Sequence, residues 1–549
     1  MSDKLLDARA AIERIRPRDT LCVSGFVGTG TPEALIKALE RRYLHTGAPF
    51  DLTLVFAAAP GDGGERGVNR LAHPGLLKRV IGGHWALVPR LGELALANEI
   101  EAYNLPLGVM SALYREIAAG RGGVFTKIGL GTFVDPRQDG GRLNRVTWEE
   151  LVALVEIDGE EWLRYRPLRI DVAFIRGTTA DRNGNISMEN EALTLDSLAI
   201  ATAARNCGGV VIAQVERVVE DLLCPRAVEV PGILVDAVVL AEPEDHRQTW
   251  ATPFDPAFAG QCRRNLAKAP PMPLDERKLI ARRAALELPL GGVINLGIGM
   301  PEGVARVAGE EGLLEALTLT AEPGIIGGMP QSGLDFGAAV NHQALLRQNQ
   351  QFDFYDGGGL DLAVLGMAQV DARGNVNVSR FGRRLAGAGG FINISQTTER
   401  LVFVGSFTTG GLAVAVEGRE LRILREGDTG KFVPAVEQIT FSGELAQRRG
   451  QQVLYVTERA VFRLVAGGLE LIEVAPGVDL ERDILALIPF PVRVARPRLM
   501  NARLFGARPM GLARWLGAAA GGGVVKRLGR PPAANPAWPD PSQSGRAVS

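Results

Sequence analysis

The chain is 549 residues long, too many for one ordinary hydrophobic core, so two or three domains of roughly 150–250 residues are expected. Hydrophobic residues make up 46% and charged residues 22%, the balance of a water-soluble globular protein, and a net charge of −1 gives no sign of a surface built for nucleic acid. The four cysteines (Cys22, Cys207, Cys224, Cys262) lie far apart, without a Cys-x-x-Cys or a nearby histidine pair, which argues against a disulfide framework or structural zinc and suits a reducing cytoplasm.

The first residues, MSDKLLDARAAIERIRPRD, read as charged and helix-like, with no apolar signal core. No stretch approaches the ~20 apolar residues that span a bilayer, so neither secretion nor a membrane partner is expected. CVSGFVGTGTPEAL then places a β-rich run before Gly28 and Gly30, with a helix over Thr31–Tyr43 and Thr31 as its N-cap. Between about Pro60 and Glu160, glycine-rich loops and helical patches alternate irregularly. LRIDVAFIRGTTADRNGNISME is an apolar strand, a D-x-x-G-N turn and a second short strand. Glu242–Pro273 is polar and proline-rich with no sustained period, as a boundary would be. A helix over Asp275–Glu287 precedes INLGIGMPEGVA, where Gly297 and Gly299 permit a tight turn and Pro301 opens a helix to Glu310. LDLAVLGMAQVDARGNVNVS repeats the strand–turn–strand pattern. From about Arg496 the composition shifts to Arg, Gly, Ala, Pro and Ser. LARWLGAAAGGGVVKRLG reads as a poor surface helix and RPPAANPAWPDPSQSGRAVS as a disordered tail.

Two of these segments occur twice. Asp171 and Asp181 have the spacing of Asp361 and Asp371, and Gly28 in its loop corresponds to Gly297. The simplest account is an α/β fold of two related doubly wound domains, the first with an insertion. The expected division is a first domain over 1–245 (insertion about 60–160), a linker over 246–273, a second domain over 274–495, and an extension over 496–549 that is largely disordered.

The chemistry centres on Glu322. In LLEALTLTAEPGIIGGMPQSGLDFG, Leu317–Ala321 read as a buried strand with the acid at its carboxyl end, before Pro323-Gly324. Ligand crevices of open α/β sheets lie at that end. The residues by themselves allow a nucleophile or a ribose ligand, since a Gly-x-Gly followed about 20 residues later by an acid is also the dinucleotide pattern. That fingerprint fails at its third glycine, where Glu302 stands, and leaves Pro323–Gly328 unexplained. Asp356 before three glycines could line a site or form an Asx turn. Lys127 could meet a phosphate or simply be solvated, and Cys207 reads as a buried small hydrophobe. Serine hydrolysis has no support: there is no G-x-S-x-G, and His45, His73, His84, His246 and His342 sit in no matching context.

AEPGIIGGMPQSGLDFGAAVN, NLGIGMPEGVA, DFYDGGGLDLA and SRFGRRLAGAGGFINIS together resemble the family I coenzyme A transferases, most closely the single-chain propionate or acetate type in which two subunits are fused. TKIGLGTFVDP and EVAPGVDLERDIL fit the same pattern, and the resemblance runs from about Ala8 to Val494. It implies that Glu322 attacks an acyl-CoA and carries CoA as a glutamyl thioester to an acceptor acid, by ping-pong kinetics and without metal or redox cofactor. It further implies oxyanion donors in glycine loops of both halves, here Gly28, Gly30, Gly389 and Gly390, and a CoA surface at Gly297, Ile298, Gly299, Met300 and Gly387. Short-chain acids such as acetate, propionate, butyrate or acetoacetate are the expected substrates, and a homodimer or homotetramer the expected assembly. A thioesterase on the same fold, or a non-catalytic CoA-binding protein, remains the alternative.

Overall fold

A computed structural model describes residues 4–265 and 271–517, organised around two sheets. In the first, seven parallel strands run in the order Ala237–Leu240, Val210–Val218, Val172–Ala180, Thr20–Val23, Leu52–Phe56, Leu77–Gly82 and Glu101–Asn104. The centre of the second is parallel too, in the order Thr318–Ala321, Val293–Leu296, Leu362–Gly366, Arg400–Val404, Gln452–Val456.

Successive strand residues face opposite ways, and a parallel sheet must be covered on both faces. Leu21, Val23, Phe174 and Ile212 pack beneath helices Ala8–Ile12, Glu33–Thr46 and Pro89–Leu96. Their neighbours Cys22, Ala173, Ile175 and Ala213 turn instead toward helices Leu107–Ala118 and Ser197–Asn206. In the second sheet, Ile294, Leu319, Leu362 and Val402 face helices Glu276–Ala285 and Glu302–Glu310. Val293, Ala363, Leu365 and Phe403 face helices Gln348–Asp356 and Phe391–Thr397. The inner faces of both sheets bury into one continuous core, so these inner helices form a layer shared by the two halves.

The sequence repeat has a physical basis. Leu21 pairs with Val172 in one half as Ile294 pairs with Leu362 in the other. Asp171 accepts the Thr20 N–H at 2.9 Å, and Asp361 accepts the Val293 N–H at 2.8 Å, so each aspartate locks the two strands in register. In the turns, Asp181 accepts from the N–H groups of Asn183 and Asn185, and Asp371 from those of Arg373 and Asn375. Each asparagine returns its amide to the aspartate and accepts a distant glycine N–H: Gly232 onto Asn185 and Gly443 onto Asn375. The D-x-x-G-N motif is therefore an Asx turn that also staples a remote loop.

Between Phe56 and Val172 the first half adds the last two strands on one side of its sheet, Leu77–Gly82 and Glu101–Asn104, and a small antiparallel sheet of Val124–Thr126, Glu160–Tyr165 and Val152–Ile157. The second half crosses the equivalent gap with the short antiparallel strands Ile325–Ile326 and Ala344–Leu345. The structure adds detail to the sequence reading at three places and corrects it at one, the N-cap. The second sheet is mixed, because Ala460–Val465 and Gly468–Val474 return as tight antiparallel strands. Thr31 is not an N-cap: Pro32 stands there, and the buried Thr31 hydroxyl donates back to the Val27 carbonyl at 3.2 Å. The segment after Glu242 is packed rather than loose, with Trp250 buried against Gly28 and the Arg264 N–H bonded to the Asn341 side chain at 2.8 Å. The start of the extension is ordered as well. Strand Arg493–Leu499 joins the second sheet, and Leu504, Phe505, Met510 and Leu512 are buried against the outer helices. The Arg282 guanidinium holds this segment by donating to the carbonyls of Leu504, Gly506 and Arg508. The rest of the extension, 518–549, lies outside the described residues.

Candidate active site

In the second half the chain leaves strand Val293–Leu296 for its neighbour on one side, Thr318–Ala321, and returns on the other side with Leu362–Gly366. A crevice opens at the carboxyl ends of strands around such a reversal. Here it is a cavity of about 240 Å³ lined by Glu322, Asn295, Gly297, Ile298, Leu365 and Gly366, and closed by residues 386–391.

Glu322 follows the last residue of strand Thr318–Ala321. The chain then reverses so sharply that Ile325 pairs back onto Ala321. Gly324 permits this with φ +128° and with its Cα against the Leu346 carbonyl, where a Cβ would collide. The carboxylate is thus held at the apex of a turn, half-buried, facing the cavity. Burial pushes its pKa from 4.5 up to about 7, with no opposing contribution from a cation or a donor. Its Oε2 lies against Gly390, 2.3 Å from where a Cβ would stand.

The opposite wall, Ala386–Phe391, is shaped by the first half. Trp85 and Ala86 donate their N–H groups to the Ala386 carbonyl, and Gly389 N–H donates to the Gly83 carbonyl, each at 2.8 Å. The Leu107 N–H donates to the Gly389 carbonyl at 2.9 Å. Asn104, wholly buried, accepts the Ala388 N–H at 2.8 Å and donates to the carbonyls of Gly82 and Gly83 at 2.9 and 2.8 Å. Two backbone donors at the cavity, the N–H groups of Gly390 and Ile298, have no acceptor among the described residues. The Gly389 N–H, expected from the sequence to serve as an oxyanion donor alongside Gly390, is already occupied by Gly83, whereas Ile298 was expected only on the CoA surface.

The structure brings Glu322, Gly297, Ile298, Gly387, Gly389 and Gly390 to one cavity, and leaves others away from its walls. Gly28 and Gly30 do not line it; they accommodate neighbours. A Cβ on Gly28 would run into Trp250, and one on Gly30 would lie 2.7 Å from a Leu195 methyl. Their loop approaches the cavity wall through Phe26, whose ring centroid is 5.5 Å from that of Phe336. Gly299 and Met300 stand behind the lining: the Gly299 N–H bonds to Glu302 at 2.9 Å, and Met300 packs on the outer core. Asp356 lies outside the lining and accepts both its hydrogen bonds, at 3.0 Å each, from the Asn393 amide in the helix that Gly390 begins. Lys127 is paired with Glu160 at 2.6 Å and lies over the Trp162 ring, and Cys207 is half-buried at a helix end.

Sequence reasoning passed over His84, Phe336, Asn295 and Asn104. His84 lines the cavity and is held neutral, its pKa pushed down to about 4 by burial and by Arg384. Its signal was available: Gly82-Gly83-His84 follows an apolar run, as the other two glycine loops do. Phe336 and Asn104 carry no such mark, because their importance comes from what folds against them.

The family model for coenzyme A transferase matches residues 5–241. The chain is 45% identical to the caffeate CoA-transferase of Acetobacterium woodii over 93% of its own length and 98% of that protein. It is 44% identical to the acetate CoA-transferase YdiF of Escherichia coli K12, over 92% and 96%. The crystal structure of YdiF from Escherichia coli O157:H7 as a thioester complex with CoA superposes with a TM-score of 0.87 at 42% identity, covering 92% of this chain and 97% of that one. Sequence, fold and cavity agree, and the chain belongs to the coenzyme A transferase family.

Proposed function

We propose that Glu322 is the nucleophile through which this CoA transferase moves CoA from a short-chain acyl-CoA to an acceptor carboxylic acid. The observation that carries the reading is a desolvated carboxylate with no cation beside it among the described residues, facing a cavity with two backbone N–H groups that no described residue engages. The carboxylate attacks the acyl thioester, forming an acyl–glutamyl anhydride and releasing the CoA thiolate. The thiolate attacks the glutamyl carbonyl, giving glutamyl-CoA and the first free acid. The acceptor acid reverses both steps, and Glu322 is regenerated. No proton is consumed, and the scheme calls on no metal or redox group.

Each addition places negative charge on a carbonyl oxygen, and preorganised N–H donors in a dry site stabilise it. We assign that role to Gly390 and Ile298. Keeping Glu322 short of solvent makes a weak nucleophile stronger, and binding the remote part of CoA supplies the energy to hold the thioester against it. The cavity has room for the thioester and a short acyl chain between Phe336, Pro330 and Phe391. The names of the acetate and caffeate relatives and of the solved thioester complex support the reading. A cytoplasmic homodimer or homotetramer follows from the family resemblance. Among the described residues no helix is long and apolar enough to cross a membrane.

The test is mass analysis of the Glu322 peptide after incubation with propionyl-CoA and no acceptor. A CoA adduct on that peptide, absent from Glu322→Ala, is expected. Steady hydrolysis with no adduct would assign a thioesterase instead.

A further inference from the structure

Two residues of the cavity wall, Val378 and Ala386, flank a projecting hairpin in which Arg380–Phe381 pairs with Arg384–Leu385 around Gly382 and Arg383. Paired residues share a face, so Arg380 goes with Leu385 and Phe381 with Arg384. Leu385 is buried in the outer core of the first half, and Arg380 follows it inward to the Leu143 carbonyl at 3.5 Å. Arg383 and Arg384 are left exposed beside the cavity, and neither forms an ion pair with a described carboxylate. The acid beside the turn, Glu437, is engaged by the Gly382 N–H at 2.6 Å and the Gln369 amide at 2.9 Å. Arg384 is near enough to His84, on the cavity wall, to disfavour its protonated form.

We propose that Arg383 and Arg384 hold the diphosphate of coenzyme A while its sulfur lies at Glu322. This rests on the reading of the cavity as a CoA-transfer site and adds the subsite for the nucleotide end. The reach agrees. From the sulfur to the first phosphorus CoA has about thirteen bonds, or roughly 15 Å when extended. From Ala386 on the cavity wall to Arg383 is three residues along the chain, at most ~10 Å, and an arginine side chain adds about 6 Å, a span of the same order. Guanidinium groups are suited to the task, since their fork matches phosphate oxygens and they remain charged at any working pH.

The experiment compares propionyl-CoA with propionyl-pantetheine, which has the same reacting end and no phosphates, using acetate as acceptor. For R383Q/R384Q the expected result is a fall in kcat/KM for propionyl-CoA of about tenfold, mostly in KM, with less than a twofold change for propionyl-pantetheine. The same loss is expected with propionyl-dephospho-CoA, which keeps the diphosphate. Equal losses on the CoA and pantetheine substrates, or no loss on either, overturn the proposal while leaving the transferase reading intact. A penalty that vanishes with dephospho-CoA moves the contact to the 3′-phosphate and overturns the assignment to the diphosphate. Wild-type protein inert toward all three substrates defeats the transferase reading itself, and the subsite with it.

Discussion

The substitution Glu322→Gln removes a carboxylate that the fold holds in an unfavourable place, and its effects on activity and on stability follow from one quantity. Burial raises the carboxyl pKa from 4.5 to about 7. A raised pKa means that the folded state prefers the protonated form, so its stabilising contribution is complete below about pH 4.5 and is lost as pH rises through 7. The gap amounts to about 3 kcal/mol at 1.36 kcal/mol per pH unit, an upper bound because Glu322 keeps some contact with solvent through the cavity. The glutamine variant avoids this cost, so it should match wild type near pH 4.5 and be more stable by about 1–3 kcal/mol at pH 8. Urea unfolding at both pH values measures it. Asp356 is pushed to about 7 as well, but it is present in both proteins and cancels in the difference. On the activity side, kcat/KM for propionyl-CoA should rise about tenfold between pH 6 and 8 and then level, since the ionised fraction of a group near 7 goes from about 9% to about 91%. His84, pushed to about 4, adds nothing in that window, and Asp356→Asn serves as the control for the remaining carboxyl. A flat rate profile from pH 5.5 to 8, together with a variant no more stable than wild type at pH 8, would refute the account of Glu322 as a desolvated nucleophile.

Gly390→Ala should abolish thioester formation by more than a hundredfold while leaving the melting temperature within a few degrees, because its backbone (φ −79°) accepts alanine and the new Cβ meets chiefly the Glu322 carboxylate, with the Phe352 ring tip at 3.2 Å needing only a small shift. Single-turnover trapping and calorimetry distinguish the two effects. Asn104→Ala should lower kcat about tenfold or more with a smaller change in KM, by loosening the Ala388–Gly390 wall. Asn104→Asp, which can still accept from Ala388, should recover part of that loss, whereas a purely structural role would show no such ranking. Arg282→Met should cost about 3 kcal/mol through three carbonyls left without their donor, and should expose the chain after Met500 to limited proteolysis before the active site is affected.

Sequence alone determined the features that depend on local chemistry and on short spacings. The D-x-x-G-N turns betray the repeat because an Asx turn needs those residue types at those positions, and both copies use them alike. Glu322 was legible because a strand end, a proline and a glycine together leave an acid at the apex of a turn. Tertiary structure decided what surrounds that acid. Asn104 and Gly83 belong to the first half, hundreds of residues away, yet they set the wall against which Glu322 lies, and no periodicity records such a contact. The same holds for the glycines: Gly28 and Gly390 look alike in sequence, but one faces the Trp250 ring and the other faces the Glu322 carboxylate. The start of the extension, polar and glycine-rich to the eye, is ordered because Arg282 satisfies its carbonyls and four spaced apolar residues find a groove. A residue's chemistry is written in its side chain, whereas its burial, its partners and hence its pKa depend on segments brought to it only by folding.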